Sequence, residues 1–294
     1  MKFKGYDISF GEYGVIVDGV RDFDPIHTFE CGQCFRWHKE ADGSYTGVVR
    51  GRVANVTYLS GKLVLNNVFP DEFEQIWFDY FDLGRDYAKV KKAVAIDSIM
   101  QKAVEFGGGI RLLRQEPWEA LISFILSSNN RIPRIMKIIE DISRLYGREL
   151  KYKGRKYHAF PGEQDLAACS LEQIEACRAG YRCSYIQRTA ASVATGEFDL
   201  QKLSELDTMQ ARHYLMKLHG VGSKVADCML LYSGTKYDVF PTDVWVRRVM
   251  EELYFKRETS FSEIQQFAAD HFGENAGIAQ QYLFYYAREN KIGI

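Results

Sequence analysis

The sequence predicts an α+β protein, in which an N-terminal antiparallel β-sheet domain with helices precedes a larger all-helical domain. Up to about residue 65, apolar residues lie in short runs rich in β-branched and aromatic side chains, which is typical of strands. From residue 71 onward they recur at the spacing of amphipathic helices. The chain has 294 residues, 46% of them hydrophobic and 26% charged, which suits one large or two ordinary globular domains.

The predicted strands are short and are separated by turn dipeptides. Asp42-Gly43 and Ser60-Gly61 favour tight turns between antiparallel strands. Because the strands follow one another closely, we expect an antiparallel meander. The five runs are YGVIV, CFRWH, YTGVVRG, VANVTYL and KLVLNN.

The clearest signal for a domain boundary is the triplet Gly107-Gly108-Gly109. Three successive glycines interrupt any regular element, and helical spacing precedes them over residues 71–106. We therefore predict a first domain of residues 1–109 and a second of residues 110–294.

Two apolar helices joined by a polar turn are predicted to open the second domain. Pro117 and Pro133 suit the first turns of these helices. Between them lies Ser127-Ser128-Asn129-Asn130, which by default is a plain turn. The apolar faces are Trp118, Leu121, Ile122 and Ile125, then Ile135, Ile138, Ile139 and Ile142.

Near the C-terminus the pattern predicts two further helices. Ser262 and Gln265 have the spacing of a capping box, and Gly273 is placed to end that helix. The final helix is expected to run from about Ala276 to Asn290.

A helix-hairpin-helix is predicted around two glycines in LHGVGSKVADC. Asp207 is placed to cap the first helix and Ser223 the second. Gly220 and Gly222 flank one valine, so the backbone there can take positive φ and bring its N–H groups close to a phosphate. Such a hairpin would hold a nucleic-acid backbone without reading its sequence.

Lys224 and Cys228 exceed what a phosphate site requires. They are four positions apart on the second helix and therefore share one face. Asp243 follows Pro241-Thr242 at a helix N-cap position, from which its carboxylate would face the lysine if the loop folds back. A lysine amine is a carbon nucleophile only when it is uncharged. Taken singly, Lys224 as a solvated lysine and Asp243 as an ordinary cap are the better interpretations.

The run LHGVGSKVADC with Pro241-Thr242-Asp243 resembles the helix-hairpin-helix DNA glycosylases with the Gly/Pro-Asp signature, specifically the 8-oxoguanine DNA glycosylase/AP lyases. Three further stretches resemble that family in the same order along the chain, so that the resemblance covers residues from about 28 to the C-terminus. They are ECGQCFRW, RLLRQEPWEALISFILSSNN and AQQYLF.

The resemblance implies a bifunctional enzyme of base excision repair that acts on double-stranded DNA. It assigns Lys224 as the nucleophile that forms a Schiff base with the sugar, and Asp243 as the assisting carboxylate. It also implies a pocket for the extruded base. Gly32 would read the N7 hydrogen of 8-oxoguanine, Phe284 and Cys228 would lie on its two faces, and Gln280 would read its edge. Without the resemblance, Gly32 is a turn glycine, Phe284 a core residue and Gln280 a surface amide.

The resemblance implies a second group of residues that stabilise the DNA after base extrusion. Asn129 would fill the gap in the duplex, and Tyr181 would act as a wedge in the opposite strand. Arg134 and Arg182 would contact the cytosine left without a partner, which predicts a preference for 8-oxoguanine opposite cytosine. Tyr181 and Arg182 both look exposed at a helix start.

One position departs from the family pattern, where a histidine commonly follows the aspartate by two residues. Trp245 occupies it here and cannot make the same phosphate contact. No metal is expected at Cys31 and Cys34, since no partner pair exists, and no iron–sulfur cluster, since no cysteine follows Cys228. Whether the hairpin carbonyls hold a cation is left open.

The net charge of −1 indicates no global basic field, so that DNA affinity must come from a local surface. No secretion or membrane signal is seen, and six cysteines suit a reducing compartment, so we expect a cytoplasmic monomer, associated with the nucleoid if bacterial.

The main alternative is a related glycosylase for another damaged or mismatched base. It would share Lys224 and Asp243 but not the lesion pocket, and a non-catalytic DNA-binding module would share only the hairpin.

Overall fold

A seven-stranded antiparallel sheet forms the N-terminal part of the molecule. The computed structural model describes residues 1–12 and 14–293. The strands are β1 (Lys2–Phe3), β2 (Tyr6–Gly11), β3 (Gly14–Asp18), β4 (Trp37–Lys39), β5 (Tyr45–Val49), β6 (Arg52–Leu59) and β7 (Lys62–Asn66), in the order β1-β2-β3-β7-β6-β5-β4. Strands β4 to β7 form the predicted meander. Strand β3 pairs with β7, so the first three strands extend the sheet beyond it.

The register of β3 and β7 explains why one face of the sheet is buried. Val15 pairs with Leu65 and Val17 with Leu63, and all four side chains are fully buried. Side chains alternate between the two faces of a strand, so every second residue here points into the core. Apolar side chains of the following helices, including Trp77, complete this core.

The strand predictions need two corrections. Strands β1 and β2 were not among the predicted runs, and the run CFRWH joins the sheet only at Trp37. Within this run Phe35 belongs to the core of the helical domain and Cys34 to the core under the sheet, so the residues before Trp37 form a loop between the two cores. For the run YGVIV the strand is described from Gly14, and Tyr13 lies outside the described residues.

Helices account for most of the remaining chain, as the spacing predicts. The α-helices are α1 (Pro25–Phe29), α2 (Pro70–Glu72), α3 (Phe78–Tyr80), α4 (Tyr87–Val94), α5 (Ser98–Phe106), α6 (Pro117–Ser127), α7 (Ile132–Tyr146), α8 (Glu163–Ala167), α9 (Leu171–Glu175), α10 (Arg182–Ala194), α11 (Thr208–Leu215), α12 (Ser223–Tyr232), α13 (Val244–Met250), α14 (Phe261–Phe272) and α15 (Ala276–Glu289). Single π-helical turns at Phe73–Trp77 and Glu251–Phe255 and short 3₁₀ turns at Leu200–Ser204 and Gly273–Asn275 complete them.

The second domain is not all-helical, because a two-stranded hairpin interrupts it. Strands β8 (Glu149–Tyr152) and β9 (Arg155–His158) pair through a turn at Lys153-Gly154. Both turn residues have positive φ, 45° and 74°, as a two-residue turn between twisted strands requires.

The buried apolar residues form two clusters, one under the sheet and one among the helices. Leu113 belongs to the sheet cluster, although it follows the glycine triplet. Val90, Val94 and Met100 precede the triplet and belong to the helical cluster. Each core therefore draws on both sides of residue 109, and the division into residues 1–109 and 110–294 stays a prediction.

The helix caps confirm some predictions and correct others. Asp207 caps α11, and its carboxylate accepts a hydrogen bond from the Gln210 N–H. Helix α12 is capped by Gly222 rather than by Ser223, which is already its first helical residue.

Helix α14 begins two residues earlier than predicted. Its capping box consists of Ser260 and Glu263. Gln265 instead donates hydrogen bonds to the carbonyl of Phe240 and the hydroxyl of Thr242, so its amide serves the loop before Asp243. None of the helices within residues 1–12 and 14–293 is long and apolar enough to cross a membrane.

Candidate active site

A cavity of about 120 Å³ lies where the loop of residues 30–37 meets the helical core. It is the meeting point of the predicted catalytic and lesion-binding residues, which come from four separate stretches of the chain. All six line it: Gly32, Lys224, Cys228, Asp243, Gln280 and Phe284. Helices α12 and α15, the loop before α13 and the loop after α1 supply them.

The Lys224 amine is held inside this cavity rather than in open solvent. Its Nζ donates a hydrogen bond to Ser127 Oγ at 3.0 Å. It also lies 5.7 Å from the centre of the Phe124 ring. Ser127 is the last residue of α6, which packs against α12. The packing of two helices therefore places the amine, and it forms no ion pair with Asp243 within the described residues.

The Asp243 side chain caps helix α13 and also lines the cavity. Its Oδ1 accepts a hydrogen bond from the N–H of Val246 at 2.8 Å, at the start of α13. Its other oxygen accepts none from any residue that the structure describes. The cap fixes the carboxylate, so one oxygen stays available to a positive charge that develops in the cavity.

Cys228 lies one turn after Lys224 and presents a neutral thiol to the cavity. It is 4% exposed, and burial raises its pKa to about 11, although the nearby Lys224 ammonium acts in the opposite direction. A neutral, polarizable sulfur atom packs favourably against an aromatic base.

Gln280 and Phe284 lie one turn apart on α15 and face the same cavity. Gln280 is 3% exposed, yet its Oε1 accepts no hydrogen bond from the described residues. A buried polar atom without a partner indicates a position where a ligand can bind. Trp245 packs edge-to-face against Phe284 at 5.2 Å and so supports this ring.

Gly32 is required by the backbone and by its neighbours. Its φ is +91°, and a Cβ there would lie 3.0 Å from Cε1 of Phe284 and 3.2 Å from a nitrogen of Arg288. Any other residue would be strained and would push against the ring that lines the cavity. This close approach is more than a turn glycine needs.

The carbonyls around Gly32 are held by side chains, while the Gly32 carbonyl itself is not. No residue within 1–12 and 14–293 donates a hydrogen bond to it. The three held carbonyls and their donors are Glu30 with Arg288 Nη2 at 2.6 Å, Cys31 with Gln281 Nε2 at 3.0 Å, and Gln33 with Gln115 Nε2 at 2.7 Å. One acceptor of a rigidly held loop is thus left free beside the cavity.

The residues predicted to stabilise the DNA gather at the loop after α6. Asn129 is exposed and has a left-handed φ of 47°. Tyr181 is 54% exposed, and its hydroxyl donates to the carbonyl of Ser128 at 3.4 Å. Arg134 is exposed and lies 3.5 Å from the carbonyl of Arg178. These side chains form one polar and aromatic surface.

The prediction that Arg182 is exposed is wrong, since its side chain is only 3% exposed. Its guanidinium donates to the carbonyls of Ser128, Asn129 and Ala179. Arginine carries five N–H donors, and these contacts occupy four of them. The carbonyls of Ser128 and Asn129 follow the end of α6. They bind the guanidinium, which buries the Arg182 side chain.

The two glycines of the hairpin differ in backbone conformation and in the space beside them. Gly220 has a φ of +83°, and a Cβ there would lie 2.4 Å from the ring of Tyr185. Gly222 has an ordinary φ of −92°, and a Cβ there would meet nothing within 4 Å. The prediction of positive φ is therefore confirmed for Gly220 and wrong for Gly222, which leaves an open approach to the N-terminus of α12.

Sequence reasoning missed three residues of this site, namely Ser127, Gln281 and Arg288. Each contributes through a hydrogen bond between segments far apart in the chain. Ser127 and Gln281 belong to stretches that the sequence analysis singled out, but no local pattern states which side chain faces which segment.

Two family models match adjacent parts of the chain. Residues 15–121 match the N-terminal domain of 8-oxoguanine DNA glycosylase, and residues 122–272 match the HhH-GPD superfamily of base excision DNA repair proteins. Among curated proteins, the chain is 36% identical over 240 residues to a probable N-glycosylase/DNA lyase of Methanothermobacter thermautotrophicus, with 75% of each chain covered. It is 29% identical over 279 residues to the N-glycosylase/DNA lyase OGG1 of Arabidopsis thaliana, covering 87% of this chain and 75% of that one.

Solved structures agree over almost the whole chain. MBOgg1 in complex with a low-affinity DNA ligand is 49% identical, with a TM-score of 0.96 over 99% of this chain and 100% of that one. The Clostridium acetobutylicum 8-oxoguanine glycosylase/lyase, in complex with double-stranded DNA containing cytosine opposite 8-oxoguanine, is 43% identical, with a TM-score of 0.95 over 98% and 99%. The chain therefore belongs to the HhH-GPD superfamily of base excision DNA repair proteins and, within it, to the 8-oxoguanine DNA glycosylase family.

Proposed function

We propose that this protein is an 8-oxoguanine DNA N-glycosylase and AP lyase that uses Lys224 as its nucleophile. The observation that carries the proposal is the placement of the Lys224 amine in one cavity with a carboxylate, a neutral thiol, an unpaired amide oxygen and an aromatic ring. These are the groups that excision of a flipped purine requires. The relatives that are named as glycosylases and lyases support the same activity.

In the proposed reaction Nζ of Lys224 attacks C1′ of the deoxyribose. The bond from C1′ to the base breaks, and the base leaves with the electron pair and takes up a proton. The C1′–O4′ bond then breaks, O4′ takes up a proton from the amine, and an imine forms between C1′ and Nζ. Loss of a proton from C2′ allows the C3′–O bond to break, which releases the 3′ phosphate. Asp243 supports the positive charge of the sugar and assists with the amine's proton.

The lesion pocket distinguishes 8-oxoguanine from guanine by one hydrogen. Oxidation places a hydrogen on N7, which is an acceptor in guanine. The free carbonyl of Gly32 can accept from that hydrogen, but it would meet a lone pair in guanine, at a cost of ~1–3 kcal/mol. Phe284 and Cys228 contact the two faces of the base, and Gln280 binds its Watson–Crick edge.

Opposite the lesion we propose a contact surface for cytosine. Asn129 fills the gap in the duplex and Tyr181 separates the neighbouring bases. Arg134 binds the unpaired cytosine, and Arg182 does so with its remaining N–H while it holds the Asn129 loop. The protein therefore prefers 8-oxoguanine opposite cytosine.

The proposal needs double-stranded DNA as its partner and no cofactor, because the lysine supplies the covalent chemistry. Gly220 and Gly222 form the hairpin that binds the DNA backbone. The six cysteines described are free thiols. We place the protein in the reducing cytoplasm, associated with the nucleoid if the cell is bacterial, and acting as a monomer.

One experiment separates this proposal from a glycosylase with another target. Duplexes with 8-oxoguanine opposite cytosine, 8-oxoguanine opposite adenine, thymine glycol, uracil or an A:G mismatch are each incubated with the protein under single-turnover conditions. Excision should be fastest for 8-oxoguanine opposite cytosine. Borohydride should trap a covalent protein–DNA adduct with the wild type and with the exposed-lysine control Lys202→Gln, but not with Lys224→Gln. Faster excision of another lesion, or an adduct with Lys224→Gln, would refute the proposal.

A further inference from the structure

Gln281 connects the loop of Gly32 to the wall of the cavity. Its side-chain Nε2 donates to the Cys31 carbonyl at 3.0 Å, across 250 positions of sequence. Its Oε1 accepts from the hydroxyl of Tyr232 at 2.6 Å. A backbone carbonyl can only accept, so the NH₂ group of Gln281 must face Cys31 and the oxygen must face the tyrosine. The residue is fully buried, and both ends of its amide are engaged.

Tyr232 ties this hydrogen-bond chain to the cavity. Its ring lines the cavity and stacks on Phe124 at 5.0 Å, with 17° between the ring planes. Gln281 also follows Gln280 directly on α15, so the two amides leave the helix in different directions. Gln280 faces the cavity, and Gln281 faces the loop that carries the free carbonyl.

We propose that Gln281 is a specificity-determining residue that sets the position of the Gly32 carbonyl relative to the bound base. The inference rests on the proposed function. Recognition of an N7 hydrogen requires the carbonyl oxygen within the short range of a hydrogen bond, about 2.7–3.2 Å from N7. The Gly32 backbone has positive φ and no side chain to anchor it, so its neighbours must be held. The bond from Gln281 to Cys31 holds the adjacent peptide.

The proposal predicts that base excision and AP-site cleavage respond differently to loss of Gln281. Excision of 8-oxoguanine needs both the Gly32 carbonyl and Lys224, whereas cleavage of a preformed abasic site needs Lys224 but no base recognition. Gln281→Met keeps the length and apolar volume of the side chain and removes its hydrogen bonds. It should slow single-turnover excision of 8-oxoguanine opposite cytosine about tenfold. Borohydride trapping on an abasic site opposite cytosine should stay within about twofold of the wild-type rate.

Two further variants make the test specific. Tyr232→Phe keeps the stacked ring and removes only the hydroxyl that orients the Gln281 amide, so it should show the same divergence to a smaller extent. Gln187→Met is the matched control. Gln187 lies on helix α10, and its amide also donates to a backbone carbonyl, that of Cys169 at 3.3 Å. It should leave both rates unchanged.

Wild-type excision by Gln281→Met would overturn the proposal, and so would an equal loss of excision and trapping, which indicates general distortion of the site. If Gln281→Met does not fold, a Tyr232→Phe variant in which both rates remain equal to those of the wild type, or fall together, overturns it instead. Failure of the wild-type protein itself to excise 8-oxoguanine would refute the proposed function, which is a separate result.

Discussion

At the scale of single residues, the direction of one hydrogen bond defines how the nucleophile is held. Ser127 Oγ donates its only proton to the carbonyl of Phe124 at 2.7 Å. It can therefore meet Lys224 Nζ only as an acceptor. One N–H of the Lys224 amine points to Ser127. The side of the nitrogen away from Ser127 faces the cavity. A side chain at the end of α6 thus orients the group that attacks the sugar.

Ser127→Ala should slow the covalent step without weakening DNA binding. Loss of one neutral hydrogen bond, about 1 kcal/mol, corresponds to roughly fivefold in rate. Single-turnover excision and borohydride trapping should both fall by this factor, and Ser127→Thr should restore most of it. The dissociation constant for duplex DNA should stay unchanged.

The matched control is Ser143→Ala. Ser143 Oγ also donates to a carbonyl of its own helix, that of Ile139 at 2.8 Å, but it lies on α7 away from Lys224. It should leave the rate unchanged. Equal slowing of both alanine variants would mean that loss of a helix-bound hydroxyl, rather than orientation of the amine, explains the effect.

At the scale of elements, the hairpin between α11 and α12 combines a glycine that its conformation requires with one that it does not. Gly220 needs its positive φ and the absence of a Cβ, because the Tyr185 ring packs directly against it. Gly222 needs neither for folding, since the space beside it is open. The first glycine builds the turn, and the second keeps the N-terminus of α12 accessible to a phosphate.

Alanine at the two positions should therefore affect different properties, namely stability at Gly220 and DNA binding at Gly222. Gly220→Ala should lower the free energy of unfolding by about 2 kcal/mol or more, from backbone strain and steric clash. Gly222→Ala should cost less than about 1 kcal/mol but weaken DNA binding, because its methyl group occupies the approach of the backbone phosphate. Thermal unfolding and DNA-binding titrations of both variants provide the test. A greater loss of stability for Gly222→Ala would contradict this account.

Local chemistry explains which element predictions were confirmed. Asp207 and Asp243 cap their helices as predicted, because an N-cap depends on a few adjacent residues. The capping box of α14 was misplaced because Ser260 and Ser262 offer similar local signals. Cys34 to Arg36 were predicted as part of a strand, but the packing of Phe35 in the helical core overrides their β propensity.

At the scale of the whole molecule, Arg36 joins three distant parts of the chain. It lies in the loop of residues 30–37, donates to the carbonyl of His158 in β9, and lies 3.9 Å from the Glu119 carboxylate on α6. Burial raises the pKa of Glu119 to about 7, although the Arg36 guanidinium acts against this shift. The carboxyl group is thus favoured in its neutral form in the folded protein.

This raised pKa makes stability depend on pH in a defined direction. Below pH 4.5 Glu119 is protonated in both the folded and unfolded chains. As the pH rises from 4.5 to about 7, the unfolded chain loses this proton while the folded chain keeps it, so stability falls. Above pH 7 both states are ionised and no further loss occurs.

Glu119→Gln should remove this dependence, because the amide stays neutral. At pH 8 the variant should be more stable than the wild type by on the order of 3 kcal/mol, whereas at pH 4 the two should be nearly equal. Denaturant unfolding at both pH values measures the difference. The control is Glu140→Gln, a substitution of an exposed glutamate. An equal change in stability at both pH values would contradict the assignment to Glu119.

The sequence by itself determined the α+β class, the positions of most helices, the caps at Asp207 and Asp243 and, through its resemblance to a known family, six of the residues that line the cavity. These depend on periodicity, on short-range chemistry and on motifs that lie within single stretches. Only the tertiary structure decided that Ser127 orients Lys224, that Gln281 holds the Gly32 loop and that Arg182 is buried. Those contacts join segments up to 250 positions apart, and the packing of helices and sheet sets them, which no local pattern encodes.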